Sequence, residues 1–337
     1  MNDLLEYAAS LTNTTSTRPN KNRYKKKRFR KRQDPSKAAL VFSSDKSVKR
    51  NGNTSHLRLI NRLARQHILE RTIDKYCATT SPYTMLDVGA GRIGNLTHCE
   101  KMGASKLFAI EPATESVNVG RERVRKHKST KIQVTVLHGK GNADWSVGGG
   151  LGNPVEDNLI RETFKVMLNQ IDIVIFNNSI QYMLKSKESL YTQLTNLAHC
   201  TVKKGIVLIV FMDGDIIHEK LKHQAQYTIF SQNRRQKLFC VKRNYRHVTK
   251  LFGNEINIFF RGVRGLSKGV AEYLCMPECL KIHFQKFGFE HVEKINMLEY
   301  VQNTIFTNDK LNKLVRNMSK NDEDIIKLYS VQIFRKL

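Results

Sequence analysis

No apolar run in the 337-residue chain is longer than the seven residues Ile206–Met212. That is far short of the roughly 20 that cross a bilayer. No apolar stretch opens the sequence either, so neither a membrane span nor a secretory signal is expected. Cysteine is scarce and scattered: six residues, singly placed apart from Cys275 and Cys279 in CMPEC. A metal site there would need further partners at ligand spacing, and the sequence offers none, so buried free thiols in a reducing compartment are expected. Acid is also in short supply, with 30 Asp+Glu against 57 Lys+Arg and a formal net charge of +27. A surplus of that size favours a polyanionic partner, nucleic acid first and an anionic membrane surface second.

What is present begins with a polar arm. Residues 1–53 carry KNRYKKKRFRKR at 21–32 and keep no helical or strand period, which predicts a disordered basic segment. Such a segment contacts phosphates without reading sequence, though an import signal or a solubilising tail has the same composition. The folded domain is expected over 54–337. It opens on a helix, SHLRLINRLARQHILERTI, with apolar residues at helical spacing. Short apolar runs then alternate with amphipathic stretches: YTMLDVG, KLFAIE, IQVTVLH, IDIVIFNN and GIVLIVFM. This alternation predicts a parallel sheet covered by helices. Residues 222–265 are basic and mixed and read as an insertion with hairpin character around INIFFRG. A helix is expected in CLKIHFQKFGFE, stopping at Gly288, with closing strands over 290–298 and 327–336.

The chemistry concentrates in TMLDVGAGRIGNLT, where GAGRIG is a complete G-x-G-x-x-G at a strand–helix turn. The glycines alone do not choose the cofactor. Asp87 stands two residues before Gly89, a position normally apolar in a dinucleotide site. S-adenosylmethionine (SAM), which has no pyrophosphate and carries a cationic methionine end, suits an acid there better. Glu111 ends the next strand, where an acid accepts the ribose hydroxyls of either cofactor. The residues therefore favour SAM over a dinucleotide, with a glycine turn that holds no ligand as the remaining alternative.

Four further blocks resemble the mRNA cap guanine-N7 methyltransferases, particularly those of poxviruses and other large DNA viruses. They are IDIVIFNNSIQYML (171–184), GIVLIVFMDGDIIHEKL (205–221), VAEYLCMPECLKIHFQKFGFEHVEKI (270–295) and the terminal LYSVQIFRKL. The resemblance covers about residues 55–337. It implies a Rossmann-like SAM-dependent methyltransferase fold, a mostly parallel seven-stranded sheet with an antiparallel closing strand and helices on both faces. It also implies that Asp87, Gly89 and Gly91 cradle the SAM methionine, that Glu111 takes the ribose, and that Asn142 or Asp144 meets the adenine. Asn177, Arg65 and Arg92 are further candidates on the cofactor side. Guanine is implied to sit against Gln181, Tyr182, Glu272 and Tyr329, with Asn61, Arg65 and Arg92 toward cap phosphate and RNA.

Gln181 departs from the family pattern, which has histidine there. Its amide is expected to donate to guanine O6. Asp213 and Asp215 in MDGD are expected to cap a helix.

These features predict transfer of a methyl group from SAM to N7 of the 5′ guanosine cap of RNA. A catalytically inactive, RNA-binding subunit of a capping complex is the alternative. The expected partners are capped RNA and other capping enzymes or a stimulatory subunit. The chain has no K-x-D-G of the kind that guanylyltransferases use for covalent GMP. An intracellular setting is expected: host cytoplasm or virion if viral, with the nucleus as the alternative.

Overall fold

A computed structural model describes residues 55–77, 82–127, 129, 131–231, 235–245, 251–261, 269–304, 306 and 308–337. The expected basic arm lies outside the described residues. In chain order the elements are α1 (Ser55–Tyr76), β1 (Tyr83–Val88), α2 (Leu96–Lys101), β2 (Ala104–Glu111), α3 (Thr114–Lys126), β3 (Gln133–His138), α4 (Pro154–Met167) and β4 (Ile171–Asn177). A 3₁₀ helix (Ile180–Lys185) leads into α5 (Lys187–Cys200), β5 (Thr201–Met212) and α6 (Gly214–Leu221). Then come β6 (Gln226–Phe230), β7 (Lys237–Arg243), β8 (Glu255–Phe260), β9 (Val270–Tyr273), α7 (Pro277–Lys286), β10 (Phe289–Asn296), α8 (Met297–Asn303), α9 (Asp309–Arg316), α10 (Lys320–Ile326) and β11 (Tyr329–Lys336).

Seven strands form the main sheet in the order β10-β11-β5-β4-β1-β2-β3. The pairs from β5 to β3 are parallel, and β11 runs antiparallel to both β5 and β10. The central strands are buried on both faces, which is why they read as unbroken apolar runs instead of alternating ones. Ile173, Ile175, Leu208 and Val210 face one apolar cluster, and Val174, Phe176, Val207 and Ile209 face the other. The strand order reverses between β1 and β4, so the crevice at their carboxyl ends is where a doubly wound sheet receives its ligand.

The sequence placed an insertion over 222–265 with hairpin character. The structure has a four-stranded antiparallel sheet instead, β6-β7-β8-β9, whose last strand runs to Tyr273. Ile256, Ile258 and Phe260 alternate into the core as the period-2 pattern required. The four-residue β9 is too short to show a period of its own. The expected strand over 290–298 also ends earlier, at Asn296, whose side chain accepts from Leu298 N and Glu299 N and so starts α8. Among the described residues no helix is long and apolar enough to cross a membrane. None of the six cysteines forms a disulfide, and five of them are buried.

Candidate active site

The glycine turn follows β1 directly. Gly89 and Ala90 donate to Ile110 O at the end of β2. Gly89 has φ +73, and a Cβ there would meet the Ser179 Cβ at 2.4 Å, so only glycine lets β1 pass beneath the β4 loop. Gly91, at φ +55, faces open space. Asp87 lies one residue before the end of β1 and is 1% exposed. Its Oδ2 accepts from Asn95 Nδ2 at 3.4 Å, whereas Oδ1 is buried with no partner. Burial, reinforced by the charge of Glu111, pushes this carboxyl from its ordinary 3.8 up to about 7, with Asn95 and Arg65 pulling the other way.

Glu111 is buried at the end of β2. Its two oxygens accept from Gly91 N and Ala113 N, each at 2.9 Å. Burial raises its pKa and the two N–H donors oppose that rise. Each oxygen keeps a lone pair for a further donor. The turn therefore presents an orphaned carboxylate oxygen, an open glycine and a second carboxylate fixed by backbone. These residues fit SAM, whose ammonium and ribose hydroxyls are donors.

The second half of the site is assembled from distant segments. Glu272 comes from β9 and is 6% exposed. Tyr182 Oη donates to its Oε1 at 2.9 Å, and Gln181 Nε2 donates to its Oε2 at 3.3 Å. Burial lifts Glu272 from 4.5 to about 7 against those two hydrogen bonds. Tyr329, at the start of β11, is buried within electrostatic reach of Glu272 and Arg65. Burial first, then the Glu272 charge, holds its hydroxyl well above the usual phenol range. Arg65 is half-buried on α1, with its Nε donating to Asn61 O in its own helix. Burial lowers its pKa, while Tyr329 and Asp87 raise it. One guanidinium thus senses both halves, and Glu111 acts on Tyr182 across the same cleft.

The expected residues divide into two groups. Gln181, Tyr182 and Glu272 are joined by hydrogen bonds, Asp87, Glu111, Arg65 and Tyr329 are linked to one another or to them by electrostatic proximity, and Gly91 N donates to Glu111. Asn177 ends β4 beside Val210. Of the other assignments, three have side-chain partners of their own. Arg92 pairs with Glu115 at 2.7 Å. Asn142 donates to Ser189 Oγ at 2.7 Å. Asp144 is exposed and accepts from Ser146 N and Oγ, closing its own turn. Asn61 is half-buried on α1.

Gln181 was expected to offer its amide hydrogens to guanine O6. Both are committed here, one to Asn178 O at 2.8 Å and one to Glu272, which leaves Oε1 buried and unpartnered. Turning the amide over would set its oxygen against two acceptors, so this orientation is fixed. Sequence reasoning passed over Asn95, which holds Asp87, and Ser179, whose Oγ donates to Val88 O beneath the glycine turn. Asn178, at φ +55, was passed over too, although asparagine after a strand is a recognised left-handed turn signal.

The strand order, the reversed closing strand and the buried acid ahead of the glycine turn are those of a Rossmann-like methyltransferase fold. The chain belongs to the mRNA (guanine-N(7))-methyltransferase domain family, whose profile matches residues 42–333. It is 23% identical over 145 residues to the mRNA cap guanine-N(7) methyltransferase of Schizosaccharomyces pombe, a stretch that covers 43% of this chain and 36% of that protein. The match thus spans about a third of the curated relative. Among solved structures, the CcbJ methyltransferase of Streptomyces caelestis has a TM-score of 0.49 at 11% identity, over 81% of this chain and 89% of that one. A SAM-dependent methyltransferase from Clostridium acetobutylicum also has 0.49, at 9% identity over 82% and 92%.

Proposed function

We propose that this chain transfers a methyl group from SAM to N7 of the guanosine that caps RNA. The observation that carries the reading is the Glu272 carboxylate, buried and clamped by Tyr182 and Gln181, in the cleft that also holds the orphaned Asp87 oxygen. A guanine Watson–Crick edge offers N1–H and N2–H₂ side by side, and an ionised carboxylate accepts both in a charge-assisted fork. The same negative charge favours the cationic 7-methylguanine product. Glu272 keeps unused lone pairs for that fork, and its hydrogen bonds from Tyr182 and Gln181 fix the plane in which the base lies.

Bound SAM supplies a methyl group on a sulfonium, reactive toward a lone pair. Guanine N7 carries a free lone pair and no proton, so no side chain need act as base. Asp87 and Glu111 hold one reactant from its two polar ends, and Glu272, Tyr182 and Tyr329 hold the other. Orientation of this kind supplies about 7–11 kcal/mol of a barrier. Recognition of RNA beyond the cap is supported by the +27 net charge. Kinship with the enzymes of large DNA viruses rests on the Met212–Asp215 block, and capping enzymes or a stimulatory subunit are the partners this reading implies.

The test is a guanine without its exocyclic amine. RNA capped with inosine keeps N7 and O6 and loses only the N2–H₂ donors. We expect kcat/KM to fall about 10–100-fold against the guanosine cap in the wild type, the cost of one unmet buried hydrogen bond to a charge. The difference should vanish in Glu272→Ala. Equal rates on both caps in the wild type would remove Glu272 from the base-reading role.

A further inference from the structure

The M-D-G-D block earns more than a helix cap. Asp213 caps α6 as the sequence suggested, its Oδ1 accepting from Asp215 N at 3.0 Å. Its other oxygen, however, is 0% exposed territory shared by two further elements. Oδ2 accepts from Ser330 Oγ of β11 at 2.8 Å and lies 2.9 Å from Lys294 Nζ of β10. The backbone of the block is equally committed. Asp213 N donates to Leu328 O at 2.8 Å, and Gly214 N donates to Cys275 O at 2.8 Å. Asp213 also forms a parallel bridge with Cys275, and Met212 pairs with Tyr329. Gly214 permits this closeness, since a Cβ there would meet the Cys275 carbonyl carbon and oxygen at 2.7 Å.

The segments tied down here adjoin two of the guanine-side residues, Glu272 and Tyr329. Tyr329 immediately precedes Ser330, and Glu272 lies three residues before Cys275. On the SAM side, Asp87, the glycine turn and Glu111 belong to β1 and β2, which the junction does not touch. We propose that Asp213 is a positioning residue for the guanine subsite: its buried carboxylate ties the end of β5 to β10 and β11, and by capping α6 it holds the Asp213–Gly214 backbone against the β9–α7 link, so that Glu272 and Tyr329 are fixed relative to each other. The inference rests on the cap-methylating reading for its substrate, and on the junction geometry alone for its mechanics.

Four variants separate these layers: Asp213→Ala, Asp213→Asn, Ser330→Ala and Lys294→Met. Each is read for SAM affinity by calorimetry, for KM on GpppRNA, and for amide hydrogen exchange. In Asp213→Ala we expect faster exchange in 270–276 and 328–332, a KM for capped RNA raised about tenfold or more, and a SAM Kd within about twofold of wild type. Asp213→Asn keeps an oxygen for Asp215 N and should recover part of the KM. Ser330→Ala and Lys294→Met, which each remove one contact and keep the cap, should fall between wild type and Asp213→Ala.

Unchanged exchange in both segments would overturn the junction. So would faster exchange with unchanged KM, or loss of SAM affinity in step with cap affinity. Should Asp213→Ala fail to fold, Ser330→Ala and Lys294→Met decide the matter by the same three readings. A wild-type protein that binds SAM yet never methylates GpppRNA would sink the cap reading, and the exchange data would still report on the junction.

Discussion

Two buried carboxyls dominate the chemistry at the residue scale. Asp87 and Glu272 each stand near pKa 7 without ligand, because desolvation outweighs their hydrogen bonds. The folded chain then binds those two protons more tightly than the unfolded chain does. Their contribution to stability is full below about pH 4 and is lost as pH rises through 7. We predict that Asp87→Asn and Glu272→Gln, measured by urea unfolding without SAM or RNA, are more stable than wild type above pH 7.5. The expected gain is about 2–4 kcal/mol each, closing as pH falls toward 4. A gain that does not vary with pH would show that the carboxyls are not desolvated as described. Asp87 was legible because its spacing to Gly89 is local. Glu272 was named from resemblance alone, since nothing near it in sequence reveals that β9 folds against the 3₁₀ helix. The Gln181 amide was misjudged because its partners, Asn178 O and Glu272, exist only in three dimensions.

At the scale of elements, the glycine turn and the segment just after β4 are one unit. Gly89 combines a positive φ with a 2.4 Å approach to Ser179, itself anchored to Val88 O. Gly89→Ala is expected to destabilise the fold by about 1–3 kcal/mol through that overlap and strain. SAM affinity should also fall at least about tenfold. Calorimetry beside a melting curve checks both, and a variant with wild-type SAM affinity would mean that this turn does not shape the pocket. The five parallel strands were readable because their apolar runs are short, dense and bounded by turns, and α1 because its apolar residues recur at helical spacing. Helices α8, α9 and α10 were not. They are seven or eight residues long, and their starts depend on side-chain caps from Asn296, Asn308 and Ser319 and not on any extended apolar stripe. The insertion was seen as basic with hairpin character around β8, but not as four strands, because β9 is only four residues long and stands beyond a basic link.

For the whole molecule, the charge surplus makes binding to a polyanion a testable expectation. A protein of net charge +27 gathers a polyanion by releasing its counterions, so affinity for capped RNA should fall linearly in log–log form with salt. Nine of the twelve residues 21–32 are basic. Replacing them with serine is expected to flatten the salt slope by several units while leaving turnover of a short cap dinucleotide unchanged. An unaltered slope would move the RNA contacts onto the folded domain. The second sheet carries one acid, Glu272 of β9, to Gln181 and Tyr182 just beyond β4. The alternation of runs foretold the main sheet, composition led to the expectation of a polyanionic partner, and neither foretold that β9 would bring Glu272 against Tyr182 and Gln181.

The decisive measurement is the product. GpppRNA incubated with SAM and wild-type protein, then digested and resolved against standards, should yield 7-methylguanosine in the cap and no other methylated nucleoside, with RNA lacking a cap unmodified. Methyl groups found on internal bases or ribose, or none despite tight SAM binding, would contradict the account.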